Sequence, residues 1–443
     1  MHIVIIGNGI SGITAARHIR KRSNHRITVI SAETTHFFSR TALMYIYMGH
    51  MTYEQTKPYE DWFWEKNRIE LLNKFVDRVD TGHKKLLCSD GSNITYDKLI
   101  LAVGSKSRKF GWKGENLQHV QGLYSYQDLE AMETASENLK HAVIVGGGLI
   151  GIEMAEMFHT RKIPVTMLVR EESYWRSVLP KQEAEIVKRE IAFFGIEVRY
   201  NTELKEILDD GNGKVKGIVT SQGKEIACGF VGLTIGVQPN IDFLQGSGVE
   251  TDRGILVNEF LETNILDVYA IGDCTQFKIP INDRKPIEQV WYTGRMQGET
   301  LAATICGKRT AYQPGPWFNS AKFFHIEYQT YGKAPANMNE LQEELYWEHP
   351  SGKKCIHIFY EKDTHQLLGI NLLGIRYKHE VCNEWLEKRS DMQEVLINLH
   401  KANFDPEFFR TYEHKIVELY NKKHPDRAIA YKRKKGWLEK IFG

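Results

Sequence analysis

"HIVIIGNGISGITAARHI", residues 2–19, decides how this chain is read. An apolar run from His2 to Ile6 predicts a buried strand. Gly7, Gly9 and Gly12 follow at G-x-G-x-x-G spacing, and a helical pattern follows them. The first glycine allows a tight turn, and the second lets the backbone approach a pyrophosphate. The third lets helix and strand pack closely, with the helix N-terminus facing the anion. A lone G-x-G-x-x-G is weak evidence. Here a strand precedes it, a helix follows it, and a second strand, "RITVISAE" at 26–33, comes next. An acidic side chain near the end of that strand should bind an adenosine ribose. Glu33 is the nearest candidate, two residues later than the tightest form of the pattern.

The arrangement recurs. "HAVIVGGGLIGIEMAEMF", 141–158, places Gly146, Gly148 and Gly151 between an apolar strand and an amphipathic helix, and "IPVTMLVRE", 163–171, supplies the second strand. Two complete βαβ units are far more specific than one. They imply two bound dinucleotides, and the simplest pairing is FAD with a nicotinamide nucleotide. The expected class is α/β with two Rossmann-like dinucleotide-binding domains.

With 443 residues, the chain is too long for one hydrophobic core. Its net charge of +2 gives no bias toward nucleic acid. No run of about 18 apolar residues predicts a membrane-crossing helix. A strand-like start leaves no room for a signal peptide, so a cytoplasmic location is expected. The six cysteines, Cys88, Cys228, Cys274, Cys306, Cys355 and Cys382, form no CxxC pair and no metal-ligand spacing. They are expected to be reduced and mostly buried, with no metal site.

Three further stretches bring a family into view. "YDKLILAVGS", 96–105, resembles the strand and small-residue turn that close the first half of an FAD domain. "LTIGVQPN", 233–240, resembles the return from an NAD(P) domain. "TNILDVYAIGDC", 263–274, is similar to the second FAD fingerprint. The chain thus resembles the pyridine nucleotide-disulfide oxidoreductase superfamily over about residues 1 to 410. The resemblance gives Asp273 the ribityl chain of the flavin and Gly272 a close backbone approach. Within it, "FSRTALM", 38–44, resembles the Tyr-x-Arg-x-x-Leu segment of ferredoxin and rubredoxin reductases and of the nitrite-reductase flavin domain. "GPWFNSAKF", 315–323, resembles the start of their C-terminal interface domain. Disulfide-type members carry CxxxxC or CxxC, and single-cysteine members carry a thiol where this chain has Arg40. No cysteine relay is therefore expected, and Arg40 fits a contact to the flavin pyrophosphate.

The resemblance also assigns the nicotinamide side. Glu153 matches a family glutamate on the helix that starts that site. Val169 stands where an acid normally reads the ribose 2′-hydroxyl. Arg170 and Arg176 are spaced like the two arginines by which glutathione reductases hold a 2′-phosphate, which leans toward NADPH. Glu171 and Glu172 argue for NADH. Tyr45 and Asn319 depart from the ferredoxin reductases, at a lysine near the flavin and at an interface tryptophan.

The implied layout is a discontinuous FAD domain, 1–112 and 240–312, an NAD(P) domain at 113–239, an interface domain at 313–410 and a basic helical tail at 411–443. "KCIHIFYE" and "QLLGINLLG" predict strands of the interface domain. Val381, Trp385, Met392, Leu396 and Leu399 predict one helix after them, and Phe409, Tyr412, Ile416 and Tyr420 mark a face of another. From Glu413 onward there are nine Lys/Arg and four Asp/Glu. That basic stretch, with Trp437 and Phe442 beside it, suits an acidic protein or a membrane surface. The expected activity is hydride transfer from NAD(P)H to FAD, then electron transfer to a small acidic redox protein. A peripheral membrane NAD(P)H:quinone reductase anchored by the tail, and a flavin-bound interaction protein resembling apoptosis-inducing factor, are the alternatives.

Overall fold

The computed structural model describes residues 1–282, 284–405 and 410–430. The basic stretch 431–443 and Phe409 lie outside the described residues. The chain divides into two compact units: Met1–Gly146 with Met154–Thr166 and Glu203–Pro314, and Gly147–Glu153 with Met167–Thr202 and Gly315–Gly443.

The first unit is built on a parallel sheet in the order Val268–Ala270, Lys98–Leu101, His2–Ile6, Arg26–Ser31, Ile69–Asn73. Its central strand carries Ile3, Val4 and Ile5, all fully buried. A strand covered on both faces reads as a continuous apolar run rather than an alternation, which is why the opening residues are so legible. The crossover helix Ile10–Arg22 packs along Trp291–Ile305. The two backbones come so close that a Cβ at Gly298 would lie 2.6 Å from the Ser11 carbonyl oxygen. The same unit holds a second parallel set, Val120–Gln121, Phe230–Leu233 and Ala142–Val145. It also holds two antiparallel meanders, Val76–Asp80 to Asn93–Thr95 and Leu204–Asp209 to Glu225–Ala227, and two two-stranded pairings.

The second unit is dominated by an antiparallel sheet ordered Phe318–Phe323, Ile326–Gly332, Leu367–Leu373, Cys355–Glu361, Gln342–Glu348. One core joins Ile356, Ile358 and Leu372 of that sheet to Trp385, Leu396, Ile416 and Tyr420. Residues 379–398 do not form the single helix that their apolar steps predict. They form His379–Glu387 and Met392–Asn398. Arg389 has φ +51°, and the Asp391 carboxylate accepts from Glu394 N at 2.8 Å, capping the second helix. A left-handed residue followed by an N-cap stops one helix and starts the next. Helix Glu413–Lys423 buries Ile416, Val417 and Tyr420, so its apolar face belongs to this core. Among the described residues, no helix is long and apolar enough to cross a membrane.

Candidate functional site

The turn after the first strand separates its three glycines by role. Gly7 has φ +109°, and a Cβ there would sit 2.0 Å from the Ala102 carbonyl oxygen. At Gly12 a Cβ would meet the Gly7 carbonyl oxygen at 2.1 Å, so helix and turn touch through backbone. Gly9, the residue preceding helix Ile10–Arg22, has no side-chain cap and nothing within 4 Å of where its Cβ would be. The N–H groups of the first helical turn have no intrahelical partners. Gly9 therefore leaves open space at a positive helix end, where an anion could be held.

Four more residues gather beside this turn. Arg40 faces Glu33 as a two-pronged ion pair, with Nη1–Oε1 at 2.8 Å and Nη2–Oε2 at 2.5 Å. Nη1 also donates to the Tyr124 carbonyl, and the guanidinium lies 4.5 Å from the centre of the Tyr124 ring. These contacts use three of the five N–H groups an arginine offers, so two remain for a phosphate. Burial alone would lower the Arg40 pKa, but the hydrogen bonds and charge of Glu33 outweigh it and hold the pKa above its usual value. Glu33 Oε1 accepts a further bond from Tyr126 N at 2.8 Å. One acceptor position of a carboxylate's four is then left, enough for one ribose hydroxyl.

Asp273 stands at the end of strand Val268–Ala270, after Gly272 with φ +82°. Its Oδ2 accepts from the Tyr124 hydroxyl at 3.1 Å. Burial lifts its carboxyl to about 6, against the opposing effects of Tyr124 and Arg40. One hydrogen bond leaves acceptor sites on Asp273 for a polyol such as a ribityl chain. Tyr124 thus links Arg40 to Asp273, and its hydroxyl also accepts from Ser105 N at 2.9 Å. Sequence reasoning missed it. The nearby signal was Ser125 with Asp128, a capping box that marks a helix start and says nothing of the tyrosine before it.

The lifted carboxyl predicts a pH dependence. A folded pKa of about 6, against about 3.9 in the unfolded chain, means that the folded state favours the protonated acid. In flavin-free protein the contribution of Asp273 to stability should be complete below about pH 4 and fade, by up to about 3 kcal/mol, as pH rises through about 6. Asp273→Asn should flatten that limb and also weaken flavin retention. Denaturant midpoints across the range check the first, and the flavin-to-protein ratio checks the second. Parallel pH profiles in the two proteins would contradict the assignment.

The second turn repeats the pattern. Gly146 has φ +124°, with the Thr234 carbonyl oxygen 2.5 Å from where a Cβ would be. Gly148 has nothing within 4 Å of that position. Gly151 is buried in the first turn of helix Leu149–Thr160. Val169 packs on this turn, its Cγ1 lying 3.0 Å from a Cβ built at Gly147. Glu153 is partly buried, and its charge adds to the effect of burial in raising the Tyr174 phenol pKa. Arg170 and Arg176 have different partners. Arg170 is exposed and lies 3.2 Å from Glu171, whereas Arg176 bonds to Leu179, Ala336 and Asn337.

None of the six cysteines is disulfide-bonded. Cys274 is fully buried, its Sγ against the Leu101 and Ile271 carbonyls, and burial pushes its thiol up to about 12. Cys228 is likewise pushed up to about 12 by burial. Thiols so held are poor nucleophiles at neutral pH. Among the described residues, no group of three or more His, Cys, Asp or Glu is placed to hold a metal.

Comparison with known proteins sets these features in context. Residues 1–298 match the model of the pyridine nucleotide-disulphide oxidoreductase family. An NAD(P)H nitrite reductase of Bacillus subtilis is 26% identical over 408 residues, 89% of this chain and 48% of that protein. The chain thus spans about half the length of that relative. A rubredoxin-NAD(+) reductase of Acinetobacter baylyi is 30% identical over 323 residues, 70% of this chain and 80% of that one. Among solved structures, a ferredoxin reductase from Rhodopseudomonas palustris superposes with a TM-score of 0.76 at 23% identity, covering 84% of this chain and 91% of the other. The family match takes in both glycine turns and the Gly272–Asp273 corner, and the chain belongs to the pyridine nucleotide-disulphide oxidoreductase family.

Proposed function

We propose that this chain is an FAD-dependent NAD(P)H oxidoreductase that passes electrons to a small redox protein without a thiol relay. The observation that carries the reading is the Glu33–Arg40–Tyr124–Asp273 cluster beside Gly9. It joins an ion pair and a phenol, with Arg40 at the position where, by the sequence resemblance, single-cysteine members carry a thiol. FAD bound there supplies the exchange between a two-electron donor and a one-electron acceptor. Gly9 would admit the pyrophosphate, Arg40 would offer it two N–H groups, Glu33 would take a ribose hydroxyl and Asp273 the ribityl chain. Tyr124 fixes Arg40 and Asp273 relative to each other. Gly146, Gly148 and Gly151 admit the nicotinamide nucleotide, and Glu153 sits on the helix that starts its site.

The names of the relatives support a protein acceptor, since rubredoxin is itself a small redox protein. A basic segment from Glu413 onward suits an acidic partner, because complementary charge speeds encounter. The experiment is electron delivery by a chain whose six cysteines are replaced by alanine. Delivery at the parent's rate supports the reading, and loss of delivery from a folded, flavin-loaded variant contradicts it.

A further inference from the structure

The segment after strand Val165–Leu168 carries both arginines that the sequence offers to a 2′-phosphate, and the structure gives them different work. Arg170 is exposed, and its partner Glu171 is its own neighbour. Such a pair is weak and screened, so a phosphate can compete for the guanidinium. Arg176 points elsewhere. It donates to the Leu179 carbonyl at 2.6 Å, the Ala336 carbonyl at 3.1 Å and Asn337 Oδ1 at 2.8 Å. Three of its five N–H groups are thereby committed to its own turn and to the 336–337 loop.

The residues before Arg176 form a strap anchored at its other end. Tyr174 is fully buried, and its hydroxyl donates to the Gly148 carbonyl at 3.1 Å, inside the second glycine turn. Its ring packs edge-on at 6.0 Å against Phe323 of the antiparallel sheet. Trp175 has φ +48°, and its carbonyl accepts from Val178 N and Leu179 N at 2.9 Å each. That closed turn aims Arg176 at residues 336–337. Helix Lys181–Phe193 continues the attachment, through Glu183 to His357 and Asn371 and through Arg189 to Glu348.

We propose that Arg176 is a positioning residue. With Tyr174 it ties the nicotinamide phosphate turn to the 336–337 loop of the antiparallel sheet, and discrimination between NADPH and NADH rests on Arg170. The inference rests on the oxidoreductase reading above. The test is kcat and KM for NADPH and NADH, with a dye acceptor, in the parent and in Arg170→Ala, Arg176→Ala and Asn337→Ala. Arg170→Ala should lower kcat/KM for NADPH by roughly tenfold more than for NADH, the loss of one charge-assisted phosphate contact. Arg176→Ala should raise KM for both nucleotides by the same factor, about three- to tenfold, with kcat and flavin content kept. Asn337→Ala, an exposed change that leaves the fold intact, should move both KM values the same way by less. The proposal is overturned if Arg176→Ala penalises NADPH alone, since Arg176 is then a phosphate ligand. It is overturned too if neither Arg176→Ala nor Asn337→Ala moves either KM. A parent reduced by neither nucleotide instead overturns the oxidoreductase reading, and this inference with it.

Discussion

Gly7→Ala should not reach a stable fold, whereas Gly9→Ala, two residues away, should fold and come out poor in flavin. At Gly7 the added methyl would lie 2.0 Å from the Ala102 carbonyl oxygen, on a backbone with φ +109°. Neither side can give way. Ala102 N is bonded to the Ile6 carbonyl at 2.8 Å, and Gly7 N to the Ile30 carbonyl at 2.7 Å, so the clash falls between strands of the central sheet. Backbone strain and overpacking together put the cost above about 4 kcal/mol. Gly9 has φ −67° and ψ −179°, which any residue adopts, and open space beside it. Alanine there should stabilise the apo chain by about 0.4–1 kcal/mol, through a less flexible unfolded state. Its methyl would occupy the face a pyrophosphate needs. Denaturant unfolding of the apo proteins and the flavin-to-protein ratio separate the two effects. A Gly9→Ala protein with full flavin content would remove the first turn from the cofactor site.

His357→Leu should cost about 3–5 kcal/mol, because it strands a buried carboxylate. His357 and Glu183 are both fully buried, with Nδ1 to Oε1 at 2.7 Å, and Nε2 reaches Glu344 Oε2 at 2.9 Å. An imidazole that donates from both nitrogens is protonated. Burial opposes that charge, but the two carboxylates outweigh it and hold the His357 pKa above its usual value. The same contact holds Glu344 below its usual range, while burial pushes Glu183 up. Because the folded pKa of His357 is raised, its contribution is complete below the unfolded value of about 6.5 and fades as pH rises through the folded one. The parent should therefore lose stability on the alkaline side more steeply than His357→Leu. Replacing Glu183 and His357 together by leucine should cost less than His357→Leu alone, since no unpaired charge remains. Unfolding midpoints for the three proteins decide it, and equal losses in the single and double variants would contradict the charge argument.

The glycine turns and the Gly272–Asp273 corner were legible because their constraints are local: a positive φ, a close approach and a strand-to-helix order are all written within a few residues. Strands Cys355–Glu361 and Leu367–Leu373 were legible as apolar runs. The break between His379–Glu387 and Met392–Asn398 was not, because the apolar steps run on across it and only Arg389 and Asp391 mark the stop. Tyr124 and Asp273 are 149 positions apart, and Glu183 and His357 are 174 apart. No local pattern announces such pairs. Glu183, inside "KQEAEIVKRE", reads as one more solvated acid, and its full burial follows only from the sheet packed over it. Arg176 shows the opposite case, where spacing suggested a ligand and the fold supplies a turn and a loop as partners.

The most direct test is anaerobic rapid mixing of the NAD(P)H-reduced flavoprotein with a small acidic rubredoxin-type protein, in the parent and in the variant with all six cysteines replaced by alanine. Flavin reoxidation and acceptor reduction should proceed together, at the same rate in both proteins and faster than with a quinone in vesicles. A variant that still takes electrons from NAD(P)H and then fails to pass them on would contradict a thiol-free path.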